Sequence, residues 1–505
     1  MSPGLHRGEK IAYQMAASGE QVTYQALNDK SNQAAQLFRR QGLQPGDGIA
    51  ILLGNDVRYL QICWAAQRSG LYYTPISVLF QTAEIEYILD NSDARLLVTS
   101  TQHLATLGQL PADLLVYLVD ADAPWPAWDA AIAAEPAVAI TDECEGAEMI
   151  YSSGTTGQPK GVRFPLQRAP LGTVSTLFST RVKLHQVNNK TRYLSTAPLY
   201  HSAPLRYNMM VTRLGGQAVI MEKFDAERAL ALIQTHQISH SQWVPTMFVR
   251  LLKLPAEVRN KYDVSSLRYA IHAAAPCPVD IKHQMISWWG PVLYEYYSGT
   301  EANGSTAITS SEWLAHPGSV GRAIHGELHI LDDADKPLAT GESGTVYFAN
   351  GSDFSYYKDP AKTAAARSSQ GWSTLGDIGY LDAEGYLYLR DRKSFMIISG
   401  GVNIYPQEIE NVLINYPAVA DVAVFGVPNA EFGEEVKAVV QLLEPATASP
   451  DLAQQLIQYC RAHLSHAKCP RSVDFMVNLP RHPTGKLYKR KLRDPYWAGH
   501  GSAII

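Results

Sequence analysis

The chain is poor in the features that mark several large protein classes. Its five cysteines, Cys63, Cys144, Cys277, Cys460 and Cys469, form no CxxC pair and no zinc-ligand spacing. That pattern excludes a disulfide scaffold and fits a reducing compartment, so a cytoplasmic location is expected. No run of about 18 apolar residues occurs, and no transmembrane helix is expected. The first residues lack the apolar core of a secretory signal. Charge is nearly balanced, with 43 Lys+Arg against 48 Asp+Glu and a net charge of −5. Nothing in that balance draws the chain toward nucleic acid. Internal repeats, long linkers and low-complexity tracts are absent as well.

What remains is a large globular chain. Its 505 residues are 46% hydrophobic, and such a length corresponds to about three domain-sized units. The stretch "GIAILLGNDVRYLQICWAAQRSGLYYTPI" reads as strand, helix, strand. Ile49 to Leu53 is a continuous apolar run, the mark of a strand buried on both faces. Asn55 and Asp56 offer a helix cap and Gly70 a stop. "TAEIEYILDNSDARLLVTS" then gives a helix from Thr82 and a strand from Arg95 to Thr99. Such a βαβαβ run implies a mostly parallel sheet covered by helices.

After about residue 318 the pattern changes to short strands separated by Asp/Gly turns, which implies an antiparallel part. After Arg392 comes a compact α+β unit, beginning with the helix "PQEIENVLINYP", in which Pro406 takes the first turn and Ile409, Val412 and Leu413 share one face. The fold class expected is therefore α/β: a large N-terminal domain of parallel sheets, helices and a small antiparallel β subdomain, followed by a small α+β domain.

One loop asks for a chemical explanation. "YSSGTTGQPKG" sets Ser152, Ser153, Thr155 and Thr156 among Gly154, Gly157 and Gly161, with Lys160 in the same loop. Glycines permit close approach of backbone N–H groups, hydroxyls add donors and the lysine adds charge, which together make an anion site. It is not the usual GxxxxGK[ST] phosphate loop, because Gly161 follows Lys160.

The loop resembles the signature of the adenylate-forming superfamily, which includes acyl-CoA synthetases, adenylation domains of peptide synthetases and firefly-type luciferases. Further blocks carry the same resemblance in the same order. They are "YYSGTE" (296–301), "STLGDIGYLDAEGYLYLRDRK", "ISGGVNIYPQEIE" and "PRHPTGKLYKRKLR". The resemblance implies ATP and coenzyme A as co-substrates and Mg²⁺ as the metal. Ser152, Ser153, Gly154, Thr155, Thr156, Gly157 and Lys160 would hold phosphate, and Tyr297, Ser298 and Gly299 would lead to Thr300 on the α-phosphate. Glu301 would hold the metal. Asp377 would take the ribose hydroxyls, Arg392 would reach the same sugar, and Ala273, Ala274, Ala275 and Pro276 would lie along the adenine. Magnesium bridging phosphates needs a carboxylate ligand, and a carboxylate attacking ATP needs its charge repulsion offset, so these residue types suit the chemistry.

The resemblance also implies two steps and two arrangements. The adenylating domain would span residues 1–391, the hinge 392–394 and a mobile C-terminal domain 395–505. Lys486 would bridge carboxylate and phosphate in acyl-AMP formation. After a swing of the small domain, Ser399, Gly400 and Gly401 would lie beside the pantetheine. At the hinge, Ser394 and Phe395 replace the polar residues usual in the family.

"PLYHSAPLRYNMM" falls where the family forms its acyl pocket. Tyr200 and His201 stand where amino-acid-activating relatives carry Phe-Asp, so an α-amino acid is disfavoured, and His201 resembles the aromatic gate of acyl-CoA synthetases. Trp243, Met247 and Phe248 are expected in the same pocket, which suits an aliphatic or alicyclic acid. The expected activity is an AMP-forming acid–thiol ligase that converts a hydrophobic small-molecule carboxylic acid, ATP and CoA into acyl-CoA. With the chain ending at Ile505, no carrier domain is expected beyond Lys486. An aryl acid, another acceptor and a homodimer stay open at this point.

Overall fold

The structure, a computed structural model, describes residues 8–121, 123–152, 159–400, 402–481 and 487–498. Two largely parallel sheets form its base. The first orders its strands Leu115–Leu118, Ala94–Thr99, Gly48–Leu52, Tyr72–Pro75 and Ala147–Glu148, and every pairing is parallel. Gly48–Leu52 is buried at all five positions, as an unbroken apolar run requires. The connecting helix Tyr59–Arg68 is buried at all ten, because the helices Tyr24–Arg40 and Ser202–Arg213 pack against it.

That connection corrects one sequence expectation. Neither Asn55 nor Asp56 caps the helix, whose N-cap is Arg58 without a side-chain bond. Asp56 instead accepts from the Arg58 amide at 2.8 Å. Asn55 reaches across the fold, donating to the carbonyls of Met221 (2.6 Å) and Ala197 (3.3 Å) and accepting from the amide of Leu199 at 2.7 Å. A side-chain amide used in this way substitutes for a peptide group between two sheets. Gly70 follows the helix end with φ +66°, as a stop should.

The second sheet has nine strands. It is parallel from Ile11–Met15 through Gln217–Ile220, Arg192–Ser195, His240–Trp243 and Tyr269–His272 to Leu293–Ser298. Both edges turn antiparallel, at Gln21–Thr23 and at Ser305–Thr309 with Arg322–His325. The strands Glu327–Leu331, Gly344–Ala349, Ser373–Leu381 and Leu387–Arg392 form the expected antiparallel subdomain. The C-terminal unit is α+β, with Val419–Asn429 and Gly433–Leu442 as its long hairpin and Ser472–Phe475 added in parallel. In its helix Pro406–Leu413, Ile409 and Leu413 are fully buried and Val412 is packed beside them. It touches the large unit through Asn415 Nδ2, 3.0 Å from Asp280 Oδ2, and through Lys253 Nζ on the Val419 carbonyl.

Candidate active site

The glycine-rich loop joins two antiparallel strands, Ile150–Ser152 and Lys160–Arg163, with Ser152 in register with Lys160. Lys160 therefore heads the exit strand rather than standing free in the loop. Ser153, Gly154, Thr155, Thr156 and Gly157 lie outside the described residues, as does the side chain of Ser152. A Cβ at Gly161 would meet the Tyr151 ring at 2.8 Å, so the exit strand passes close over its partner.

From Lys160 a chain of contacts runs through the site. Its ammonium lies over the Tyr356 ring, 4.9 Å from the centroid. The Tyr356 hydroxyl donates to Glu301 Oε1 at 2.9 Å. Burial pulls the Lys160 ammonium below its ordinary value, opposed by the charge of Glu301. Burial and the Glu301 carboxylate push the Tyr356 phenol up, so the hydroxyl keeps its proton and donates it to Glu301.

A second group lies beside the first. Tyr297 donates to Asp377 Oδ2 at 2.6 Å, and Arg392 Nε donates to Asp377 Oδ1 at 3.2 Å. Asp377, and then Glu301, hold the Arg392 guanidinium above its ordinary value against burial. Arg392 also acts on Lys160. Residues 160, 301, 377 and 392, scattered along the chain, thus form one mutually sensed set of alternating charges.

The segment between Ser298 and Glu301 is shaped by its glycine. A Cβ on Gly299 would stand 2.3 Å from Leu375 Cδ1 and 2.7 Å from Glu301 Oε2. The turn closes with the Ala302 amide on the Gly299 carbonyl at 3.2 Å. The Thr300 carbonyl accepts from Arg206 Nη2 at 3.3 Å, while Arg206 Nε donates to Glu148 at 2.6 Å. Arg206 therefore ties the entry to the glycine-rich loop to the Thr300 turn. At the end of the strand Tyr269–His272, Ala273, Ala274, Ala275 and Pro276 run as irregular backbone, with Ala274 at φ +78°.

On the acyl side, Tyr200 and His201 are buried and cross edge to face, 4.7 Å apart. Burial pushes the Tyr200 phenol up to about 12. His201 takes the N-cap position of Ser202–Arg213. The structure does not bring Trp243 and Phe248 to them. Those rings close on Trp289 at 5.2 and 6.0 Å and belong to a different hydrophobic cluster from Tyr200. Met247 joins that cluster, with Thr196 Oγ1 on its sulfur at 3.3 Å. Strand alternation explains the difference. Trp243 points to one face of its strand, whereas Gln242 points to the other, 3.4 Å from the Tyr296 hydroxyl.

At the boundary of the small unit, Lys393–Phe395 is a single tight turn. The Phe395 ring lies under Lys489 Nζ at 5.5 Å, and Lys489 pairs with Glu410 at 2.8 Å. Gly400 has φ +56° and donates to the Phe432 carbonyl at 2.9 Å, and Ser399 pairs with Val402 in the adjoining hairpin. Gly401 and Lys486 lie outside the described residues. Sequence reasoning missed Tyr356, Arg206 and the role of the Tyr297 hydroxyl. Only Arg206 carried a signal, as one of two cations on a helix otherwise largely turned inward.

Comparison with known proteins places the chain in a family. The model of the AMP-binding enzymes matches residues 5–357, and that of the AMP-binding enzyme C-terminal domain matches 408–486. The chain is 30% identical over 496 residues to the long-chain-fatty-acid–CoA ligase FadD13 of Mycobacterium tuberculosis, covering 96% of this chain and 95% of that one. It is 30% identical to the feruloyl-CoA synthase of an Amycolatopsis species, covering 94% of each. Among solved structures, ATP-bound MatB from Rhodopseudomonas palustris superposes with a TM-score of 0.82 at 26% identity, covering 98% of this chain and 99% of that one. The o-succinylbenzoate CoA synthetase MenE of Bacillus subtilis, in complex with its acyl-adenylate, does so at 0.80 and 25%, covering 98% of each.

Proposed function

The chain belongs to the AMP-binding enzymes, and from that premise we propose that it is an ATP-dependent acyl-CoA ligase. It joins a carboxylic acid with a largely hydrophobic body to AMP, releasing pyrophosphate, and then passes the acyl group to the thiol of CoA, releasing AMP. The observation that carries this reading is the convergence of Lys160, Glu301, Asp377 and Arg392 through Tyr356 and Tyr297. A carboxylate and a polyphosphate repel each other, and such a set of fixed charges offsets that repulsion where the new bond forms.

Each residue then has a task. Lys160 supplies a cation at the phosphates, and the Thr300 turn contacts the α-phosphate. Asp377 receives the ribose hydroxyls, steadied by Tyr297 and Arg392. The backbone of Ala273, Ala274, Ala275 and Pro276 lies along the adenine. Mg²⁺ fits this site: Glu301 is a buried hard-oxygen donor with one oxygen fixed by Tyr356. Among the described residues no group of three or more His, Cys, Asp or Glu could hold a metal by itself, which suits an ion shared with substrate phosphates. When bound, the ion offsets phosphate charge. Tyr200 and His201 form the wall beside the acid, with Gln242 and Tyr296 opposite, while Trp243, Met247 and Phe248 support the floor from within the core.

In this reading residues 392–394 are the hinge between an adenylating domain of residues 1–391 and a mobile domain of residues 395–505 that carries Lys486. Ser399, Gly400 and Gly401 reach the pantetheine in the second arrangement. Five free cysteines support a cytoplasmic location. No helix of the described residues is long and apolar enough to cross a membrane. The test is product analysis with ATP, CoA and a panel of fatty, alicyclic and aryl acids. AMP, pyrophosphate and an acyl-CoA are expected in equal amounts, and ADP with phosphate would overturn the reading.

A further inference from the structure

Arg181 is a guanidinium with no ion-pair partner among the described residues. It lies on the helix Thr176–Leu184, half-buried, and its close contact is the Tyr296 ring at 5.6 Å. Among the described residues it makes no hydrogen bond and no ion pair. The carboxylate that acts on it, Glu148, is already engaged by Arg206 at 2.6 Å. Arg181 and Arg206 repel each other, and burial pulls the Arg181 guanidinium below its ordinary value. Arg181 therefore stands near a carboxylate that Arg206 already occupies, with the Tyr296 ring as its close neighbour.

A half-buried guanidinium with no protein partner has donors left to meet an oxygen acceptor. The place is informative. Tyr296 opens the stretch that ends at Thr300 and Glu301, and Arg206 follows His201 on the same helix and grips the Thr300 carbonyl. Gln242 aims its amide at the Tyr296 hydroxyl from the strand next but one, at 3.4 Å. Arg181 thus stands on the acyl side of the site. A guanidinium presents planar donors that match a carbonyl or carboxylate oxygen, and a purely hydrocarbon tail would leave it unsatisfied.

We propose that Arg181 determines specificity by receiving an oxygen acceptor at the far end of the acid, so that the substrate is bifunctional. One carboxylate is activated, and a carbonyl or second carboxylate is held by Arg181, with the Gln242 amide and Tyr296 hydroxyl beside it. This deepens the acyl-CoA ligase reading and rests on it.

Pyrophosphate release tests it with length-matched trios: a plain alkanoic acid, the keto acid with its carbonyl next to the terminal methyl, and the α,ω-dicarboxylic acid. Adipic and suberic acid serve as the dicarboxylic members. The wild-type chain is expected to favour one oxygen-bearing member over the plain acid by about tenfold or more in kcat/KM. Which member wins separates a carbonyl from an anion as the recognised group. Arg181→Met should reduce that preference to within about twofold while leaving the KM for ATP unchanged. Arg181→Lys keeps the charge and loses the planar fork, so it should retain part of a preference for the dicarboxylate and lose one for the ketone. A plain acid that matches or exceeds its partners in wild type overturns the subsite alone. So does an Arg181→Met variant that lowers all three acids equally or raises the KM for ATP. Release of pyrophosphate with no acid at all would overturn the ligase reading and the subsite together.

Discussion

Asp377 and Arg392 face each other in register across two antiparallel strands, with Arg392 Nε 3.2 Å from Asp377 Oδ1. The other carboxylate oxygen holds the Tyr297 hydroxyl at 2.6 Å. The carboxylate is therefore fixed in direction before any nucleotide arrives, which lowers the ordering cost of binding. Asp377→Asn is expected to raise the KM for ATP by about tenfold or more, with a smaller change in kcat. Tyr297→Phe should follow in the same direction to a lesser degree. Steady-state kinetics with ATP varied checks both, and a loss confined to kcat would remove Asp377 from ribose binding.

Among the described residues Glu301 is held on one oxygen, by Tyr356 at 2.9 Å. Glu301→Gln keeps the shape and removes the charge, and turnover should fall by about 10² or more. Tyr356→Phe removes only the orienting hydrogen bond and should cost a few-fold, on the scale of about 1 kcal/mol. Turnover at saturating ATP across a magnesium titration separates the two. Near-wild-type turnover in Glu301→Gln would exclude the metal role.

Lys486 is proposed to act only where carboxylate and α-phosphate charge meet. Lys486→Ala should slow acyl-AMP formation by about 10² or more, equivalent to roughly 3 kcal/mol. The same variant, supplied with preformed acyl-AMP and CoA, should still make acyl-CoA at a rate near wild type. Single-turnover measurement of each half-reaction decides. Equal slowing of both halves would make the lysine a structural or general binding residue.

Acid stability follows from a histidine remote from the chemistry. His240 is locked as a neutral ring between Ser239 Oγ at 2.8 Å and the His185 carbonyl at 2.7 Å. Burial pushes its imidazole down to about 4 from an ordinary 6.5. Between those values the unfolded chain binds the proton and the folded chain does not, so stability rises with pH and is lost as pH falls through this window. His185, pushed down to about 3 by burial and by Arg181, adds a loss of the same sign further into acid. Denaturant titrations at neutral pH and near pH 5 should show the fall, and His240→Gln should flatten it. A pH-independent midpoint in the wild-type chain would contradict the assignment.

Much of this was legible along the chain, for reasons that differ by residue. The strand at 48–52 declared itself because burial on both faces forces a continuous apolar run. The helix at 406–413 did so because proline at its first turn and a repeating apolar stripe leave little choice. Asn55 misled, because a side chain that caps helices is equally able to bond a distant backbone, and only the tertiary structure chooses. Trp243 and Gln242 are neighbours in sequence yet serve opposite faces of a sheet. Their separation follows from alternation once the strand is known, and not before. Tyr356 lies in "DFSYYKD", where nothing local distinguishes a ring under a cation from a surface aromatic.

The second sheet also constrains how the chain is made. Its strand Ile11–Met15 pairs in parallel with Gln217–Ile220, residue 13 opposite 218 and residue 15 opposite 220. On the ribosome the first strand therefore emerges long before its neighbour exists. At about 5–20 residues per second it waits roughly ten seconds or more. During that interval its only strand partner is the short Gln21–Thr23 beside it. That strand is thus an open edge, buried in the finished protein but available to chaperones, or to another nascent chain, while synthesis continues.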